Sequence, residues 1–421
     1  MLSIQFIREN TERVKRDLLL RNTEAPIDRI LELDEQRRAL LQEVEQLRAE
    51  RNAASKDIGA TKDPGERARK IAATRDAGER IDASEAKLKA IDADLRASLL
   101  EVPNVLAAGV PPGPDEHSNV VTQTVGAKPQ FGFQARPHWD LAAILDGIDF
   151  ERGVKMAGSR FYVLRGATAR LQRALIQLML DSHVAAGFEE HYLPYMLSEA
   201  SLYASGQLPK FRDNLYRDAE EDYYFIPTAE VAFVNLYRDE ILPPGALPKR
   251  LVAHTPCFRR EKMSAGRDVR GIKRGHQFDK VEMVKFVRPE TSMDELMKLI
   301  DNAEDVARGL GIPYRVVQMC TGDLSFTAAA KYDIELWAPG CQEWLEVSSC
   351  SNFMDFQARR ANIRYRPEPG ARPEYVHTLN GSGLALPRVM IAVLETYQQV
   401  DGSVQVPEVL RPYMGGLERI G

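Results

Sequence analysis

Residues 258–286 read FRREKMSAGRDVRGIKRGHQFDKVEMVKF, and nine of these twenty-nine positions are Lys or Arg. Alternating polar and apolar residues, CFRRE before and HQFDKVEMVKF after, bracket a Gly- and Arg-rich middle. This pattern predicts a β-hairpin with a long loop, because side chains along a strand point alternately to opposite faces. Arg259 and Glu261 then share a face, and so do Phe278 and Glu282. If the two faces are the same one, the hairpin offers one ligand a guanidinium, a flat ring and two carboxylates. The planar fork of an arginine suits a phosphate, since it holds two oxygens at once. A Phe can stack on a nucleobase, Glu261 can accept from an exocyclic amine, and Glu282 from an ammonium or hydroxyl. That set fits ATP together with an amino compound. On these residues alone a surface hairpin, its aromatic in the core and its charges in water, is the competing reading.

Further strand-like runs occur at YYFIP, RLVAHTPCF, YRVVQMC, YDIELWAP and QEWLEVSS, and TSMDELMKLIDNAEDVARGLG between them has a helical pattern. A helix is also expected over about 167–186, stopped by Gly187. Strand runs that flank loops predict a mainly antiparallel sheet with helices against it, an α+β arrangement. No P-loop is present, and GSGLAL at 381 lacks the third Gly of a dinucleotide fingerprint.

The N-terminal part has a different texture. Ile30, Leu33, Leu40, Val44, Leu47, Ala54 and Ile58 fall on the seam of a heptad, as do Ile71, Ile81, Leu88, Ile91, Leu95 and Leu99 after the turn GATKDPGE (59–66). Two helices, about 27–58 and 67–100, form an antiparallel hairpin whose legs are on the order of 45 Å long. Its outer half carries Arg48, Arg51, Lys56, Lys62, Arg67, Arg69, Lys70, Arg75 and Arg80 against six acids between positions 48 and 80. A solvated coiled-coil surface and an RNA-binding face are equally compatible with that charge. VPNVLAAGVPPGPDEHSN (102–119) reads as a linker by composition.

At 421 residues the chain is long enough for two domains. The net charge of −5 does not mark a nucleic-acid binder, so any contact with RNA must use local basic patches. Cys257, Cys320, Cys341 and Cys350 form no C-x-x-C pair, which favours reduced thiols over a disulfide framework or a zinc site. No run of about 18 uncharged apolar residues is present, and MLSIQFIRENTERV fits neither a secretory signal nor a transit peptide. A cytoplasmic protein without a membrane partner is expected.

F-R-x-E, a variable loop and then F-x-x-x-E resemble motif 2 of the class II aminoacyl-tRNA synthetases. GFEEHYLPYM (187–196), with Pro194, resembles motif 1, which builds the dimer interface in that family. GLALPRVMIAVLE (383–395), with Arg388 opening a helix, resembles motif 3. SGQLPKF (205–211), PTAEV (227–231), AGRDVRGIKRGHQFDKVE (265–282), EVSSCSNFMDFQARR (346–360) and TLNGSGLAL (378–386) narrow the resemblance to the seryl-tRNA synthetase family, of bacterial type. It covers nearly the whole chain, the helical arm included. KMSAG at 262 looks like the KMSKS loop of class I enzymes, but no HIGH-type partner lies upstream.

The resemblance implies a tRNA-binding domain over 1–104 with the helical arm, a linker at 105–118 and a catalytic domain over 119–421 built on an antiparallel sheet flanked by helices. It implies a reaction in two steps. The serine carboxylate attacks the α-phosphate of ATP, and the 3′-terminal ribose of serine tRNA then takes the seryl group from the adenylate. The first step needs no general base, because the carboxylate is already ionised; positioning and charge neutralisation are what it needs.

By the same resemblance, Arg259 binds the α-phosphate and Arg388 the γ-phosphate, and these two with Glu282 form the catalytic set. Phe278 stacks on adenine with Glu261 beside its amino group, and Arg260, Val347 and Ser348 complete the ATP site. Glu346 and Ser349 hold Mg²⁺ through ATP, which requires the strand to bulge or end there, because positions 346 and 349 alternate faces in a regular strand. Serine is held by Thr228, Ala229 and Glu230 near its ammonium and by Glu282 and Ser382 near its hydroxyl, with Asn380 in the same pocket and Arg274 at its carboxylate or at a phosphate. Lys262, Arg267, Arg270 and Lys273 contact the acceptor stem, while Arg48, Arg51, Lys56, Lys62, Arg67, Arg69, Lys70 and Arg75 of the arm grip the tRNA body.

The implied partners are ATP, L-serine, serine tRNA, with selenocysteine tRNA a further candidate, and a second copy in a homodimer. Zinc is not expected, since Thr228, Glu230 and Glu282 occupy the pocket where rarer seryl enzymes place zinc ligands. The chain departs from many bacterial relatives at Pro387, where they have Gly, and at Lys262-Met263-Ser264. Proline fits the first turn of a helix, where its missing N–H costs nothing. Three rivals remain: a paralogue that loads a carrier protein, which would lack the arm; an inactive RNA-binding scaffold, which would lose Arg259, Glu282 or Arg388; and a class II enzyme for another amino acid.

Overall fold

The computed structural model describes residues 1–262 and 270–421. The chain falls into two compact units, Met1–Leu19 with Thr23–Pro103, and Leu20–Asn22 with Asn104–Gly421.

The first unit is dominated by two helices, Ile27–Ala60 and Pro64–Leu100. Ion pairs run across them in antiparallel order, Arg37 with Asp92, Arg48 with Glu85 and Lys70 with Asp57. The turn is shorter than its composition predicts. Gly59 and Ala60 stay helical, and Asp63 caps the second helix by accepting from the Glu66 amide at 2.7 Å. Pro64 follows at the first helical position, where it forfeits no hydrogen bond. Ile30, Leu33, Val44, Leu47, Ile81, Leu95 and Leu99 are buried along the seam. Ile71 is a correction: it is 49% exposed, beside a stretch of the facing helix, Ala53 to Ala60, that offers mostly small side chains.

The second unit is built on an eight-stranded sheet. In chain order its strands are β1 (Val120–Val125), β2 (Glu189–Glu190), β3 (Lys249–Phe258), β4 (Gln277–Val287), β5 (Tyr314–Gln318), β6 (Ala330–Ala338), β7 (Glu343–Asn352) and β8 (His377–Ala385). Their spatial order is β1-β5-β6-β7-β8-β4-β3-β2, antiparallel throughout except for β2 beside β3. The expected α+β class holds.

Strand alternation divides β4 between two cores. Val281, Met283 and Val287 join the larger core, shared with the helices Gly166–Ala185, Ser292–Leu310 and Leu386–Thr396. Val284 and Phe286 on the opposite face join a smaller core with Leu251 and Ala253 of β3 and the helix Ala229–Leu236. Phe278, Lys280 and Glu282 continue that second face beyond the smaller core; Phe278 and Lys280 line the cavity that opens there, while Glu282, fully buried, lies behind its wall. A fully two-sided strand thus ends in a one-sided one, and the site begins where the apolar residues stop.

Two further expectations need correction. The start of the stretch read as a linker is packed: Val105, Leu106 and Ala107 are buried, and Asn104 Nδ2 donates to the carbonyls of Thr327 (2.9 Å) and Phe353 (2.8 Å). Farther along, Gly109, Pro112 and Pro114 are exposed, as that composition predicts. β3 also ends at Phe258, so Arg259 and Glu261 do not share a face by alternation. The Arg259 amide makes one more rung, to the His276 carbonyl at 2.9 Å, and the chain then turns through Glu261 at φ +50. That left-handed residue brings both side chains to the cavity.

Candidate active site

The cavity has a volume of about 380 Å³ and lies over β4, β6, β7 and β8. One end is rich in carboxylates. Thr228 caps the helix Ala229–Leu236, which puts Glu230 in the first turn, buried to 6% exposure. Glu230 Oε1 accepts from Gln357 Nε2 at 2.6 Å and Oε2 from Asn380 Nδ2 at 2.6 Å. Burial, reinforced by the neighbouring Glu282, raises the Glu230 carboxyl to about 7, although Lys280 pulls the other way. Glu282 accepts from Asn380 Nδ2 at 3.1 Å and from Ser382 Oγ at 3.2 Å, and it pairs with Lys280 Nζ at 2.6 Å. Asn380 Oδ1 is buried with no hydrogen-bond partner among the described residues. An acceptor left open between two carboxylates is suited to an ammonium or hydroxyl donor. Ala229 is buried beneath this end and does not line it.

The other end is cationic. Arg259 Nε donates to the Pro227 carbonyl at 3.1 Å, and its guanidinium sits 5.2 Å from the centre of the Phe278 ring. Arg274 lies 3.5 Å from Glu261, and all four of these side chains line the cavity. Arg388, in the first turn of the helix Leu386–Thr396, donates to the Glu346 carbonyl at 2.6 Å and lies 3.5 Å from its carboxylate. Enclosure opposes ionisation of Glu346, but the charges of Arg388, Lys331, Arg259 and Arg274 together outweigh it and hold its carboxyl below the usual range. Pro387 stands in that same first turn, where the helix needs no N–H from it.

Glu346 and Ser349 both line the cavity, and the register explains how. Glu335 pairs with Glu346 and Ile334 with Ser348, so Val347 is an extra residue in β7. That bulge reverses the parity of the strand and turns Glu346, Ser349 and Ser351 to one side. A carboxylate and a hydroxyl side by side are the hard oxygen donors that Mg²⁺ takes, so the donor set fits that ion. Ser348 faces away and donates to the Ser382 carbonyl at 2.6 Å.

Several expected residues stand apart. Arg260 is exposed and outside the lining, its amide bonded to the Asn214 carbonyl. Lys262 and Arg270 are exposed, Arg270 lying 5.3 Å from the Trp139 ring, while Lys273 lines the cavity and bonds Glu343 at 2.5 Å. Arg267, like Met263 and Ser264, lies outside the described residues. In the helical unit, Arg48, Lys70 and Arg75 are ion-paired with acids of the hairpin itself, while Lys56, Lys62, Arg67 and Arg69 are exposed and Arg51 half-buried. Two site residues were missed. Gln357 gave no sequence signal. Lys280 did, since the alternation that aligns Phe278 with Glu282 puts Lys280 between them.

His138, Cys341 and Glu395 form a second cluster of metal-ligating type, their ligand atoms within 4.8 Å of one another. Its hydrogen bonds close without an ion. Glu395 accepts from the His138 amide and Nδ1, from the Cys341 thiol, and from the Gly340 and Cys341 amides. The Ile272 amide donates to His138 Nε2, which fixes the ring proton on Nδ1. Burial pushes the Glu395 carboxyl up, but these bonds outweigh it and hold it below its ordinary value. The cluster ties the return of the 258–286 loop to the helix Leu386–Thr396.

Residues 210–397 match the family model of the tRNA synthetase class II core domain (G, H, P, S and T), and residues 1–106 match that of the seryl-tRNA synthetase N-terminal domain. The chain is 63% identical over 422 residues to a serine–tRNA ligase of Thermomicrobium roseum, covering 100% of this chain and 95% of that one. It is 58% identical over 422 residues to one of Chloroflexus aurantiacus, covering 100% of both. Among solved structures it is similar to the seryl-tRNA synthetase of Pyrococcus horikoshii complexed with ATP, with a TM-score of 0.95, 39% identity, and coverage of 100% of this chain and 99% of that one.

Proposed function

The chain belongs to the seryl-tRNA synthetase family, whose reaction is ATP-dependent activation of L-serine and its transfer to tRNA, and we propose the following division of labour within its cavity. The observation that carries it is that one cavity joins a polar pocket, Glu230, Asn380 and Ser382 backed by the buried Glu282, to a cationic floor, Arg259 and Arg388 beside Phe278. The pocket takes the serine ammonium at Glu230, beside Thr228 and Ala229, and the hydroxyl at Glu282 and Ser382. The floor takes ATP.

Adenine lies on Phe278 with Glu261 at its amino group. Arg259 holds the α-phosphate, Arg388 the γ-phosphate, and Arg274 the carboxylate or phosphate oxygens between them, with Val347 in the cavity wall beside them. The serine carboxylate oxygen bonds to the α-phosphorus as the bond to the β-phosphate oxygen breaks, and pyrophosphate leaves. No proton is transferred, so the residues act by orientation and by neutralising charge on the phosphoryl oxygens. Glu346 and Ser349 would hold Mg²⁺, which supplies further neutralisation of the triphosphate when bound. The 3′-terminal ribose hydroxyl of tRNA then attacks the seryl carbonyl, and AMP departs.

Selection follows from the same polar groups. Alanine would leave Glu282 and Ser382 unpaired for want of a hydroxyl, a large penalty, whereas threonine adds only a methyl and must be excluded by shape. The exposed bases of the helical hairpin, together with Lys262, Arg267, Arg270 and Lys273, are proposed to hold serine tRNA. A homodimer is proposed through the segment 187–196, where Tyr192 is 88% exposed and Met196 is 48% exposed. No helix of the described residues is long and apolar enough to cross a membrane, and a cytoplasmic site of action is proposed on family grounds.

Charging of tRNA transcripts tests the reading. Serine should be esterified to serine tRNA and not to a non-cognate transcript. Esterification of another amino acid would refute the pocket assignment.

A further inference from the structure

Lys280 has no part in the reading above, yet it sits at its centre. It projects from β4 between Phe278 and Glu282, only 6% exposed, and lines the cavity. Its Nζ donates to Thr228 Oγ1 at 2.8 Å and lies 2.6 Å from Glu282 Oε2. It therefore spans the two walls of the carboxylate pocket, the cap of the helix Ala229–Leu236 and the strand β4.

Charge counting shows what such a bridge does. Two carboxylates, Glu230 and Glu282, share one amide, and a single substrate ammonium cannot neutralise both. In a closed pocket an excess negative charge is expensive, and the system would relieve it by keeping a proton on one carboxyl. With Lys280 counted, two negative charges face two positive ones once the substrate is bound. The other titratable groups facing the cluster do not change that sum. Cys257 of β3 and Cys350 of β7 are buried and kept as neutral thiols. Arg259, just beyond β3, is turned to the Pro227 carbonyl and the Phe278 ring, and in the proposed reading it serves the α-phosphate.

We infer that Lys280 is a positioning residue for the amino-acid substrate, bridging Thr228 and Glu282 so that Glu230 stays ionised for the substrate ammonium, and thereby setting the pH range in which serine is taken up. The inference rests on the assignment of this end of the cavity to serine. It requires no contact between Lys280 and the reacting atoms, and it places the effect on the KM for serine rather than on the KM for ATP.

Serine-dependent ATP–pyrophosphate exchange by the full-length protein and by Lys280→Met, Lys280→Gln and Lys280→Arg, measured from pH 6 to 9, tests this. The Met and Gln variants should raise the KM for serine at neutral pH by about tenfold or more, as expected for loss of a charged hydrogen-bonded partner. Their kcat/KM for serine should begin its acidic fall about one pH unit higher than in the unaltered protein, with the KM for ATP unchanged. Lys280→Arg, which keeps the charge, should restore most of both. A uniform loss of kcat at every pH, or variants with an unmoved KM and pH profile, would overturn the inference while leaving the function intact. Absence of serine-driven exchange in the unaltered protein would overturn the function itself, and the inference with it.

Discussion

Glu230 and Glu282 are joined through a single amide: Asn380 Nδ2 lies 2.6 Å from one carboxylate and 3.1 Å from the other. Two acids that share a donor hold each other at a fixed separation, and Asn380 Oδ1 completes the triangle as an acceptor. Substituting Asn380 by Ala removes the shared donor and the open acceptor together. Steady-state exchange should then show a KM for serine raised on the order of tenfold to a hundredfold, with the KM for ATP little changed. An equal rise in both would place Asn380 in the scaffold instead.

The Glu230 carboxyl, lifted to about 7 by burial and by Glu282, gives the pocket a defined pH response. An ammonium favours the ionised form, so serine binding should weaken as pH falls through 7, by about tenfold for each pH unit below it. Folding responds in the opposite sense. A carboxyl raised in the folded state contributes stability that is present at low pH and is lost as pH rises through 7. Glu230→Gln should abolish the acidic fall of kcat/KM for serine and flatten the stability profile between about pH 5 and 7, as read by thermal melting at a series of pH values.

How much of this was legible in the sequence depended on whether a period survived folding. Phe278 and Glu282 were readable as neighbours because β4 is regular there, and the same period contained Lys280. Glu346 and Ser349 were not, since their common orientation depends on Val347 being an extra residue, and register belongs to the partner strand as much as to β7. Arg259 and Glu261 reach one cavity for a reason the alternation did not contain, the left-handed backbone at Glu261. Residues 105–107 carry linker-like composition but are buried, because Asn104 bonds carbonyls more than two hundred residues away. The hairpin seam was legible through Leu47 and lost at Ile71, where the facing residues are small.

In the hairpin, Lys56, Lys62, Arg67 and Arg69 are exposed side chains on a helical surface. Replacing all four by Ala should raise the KM for tRNA in aminoacylation and reduce the salt dependence of tRNA binding, because fewer phosphates are neutralised. Serine-driven exchange without tRNA should be unaffected. Unchanged charging and salt dependence would count against tRNA contact at these positions.

Glu395 gathers donors from two separate segments, one at His138 and one at Gly340-Cys341, and its hydrogen bonds close without a metal. Glu395→Ala would strand these buried donors and should cost about 3 kcal/mol or more of stability, measured by chemical denaturation. Added zinc should leave the melting temperature of the unaltered protein where it was. A rise on adding zinc would mean that the cluster binds metal after all.

The central claim is that the carboxylate pocket admits serine to the phosphate of ATP held on the cationic floor. ATP–pyrophosphate exchange without tRNA, run separately with each of the twenty amino acids, tests it most directly. The account predicts exchange driven by serine, with threonine and alanine far behind. Exchange driven chiefly by another amino acid would contradict the pocket assignment, and no exchange from a folded sample would contradict the activation chemistry itself.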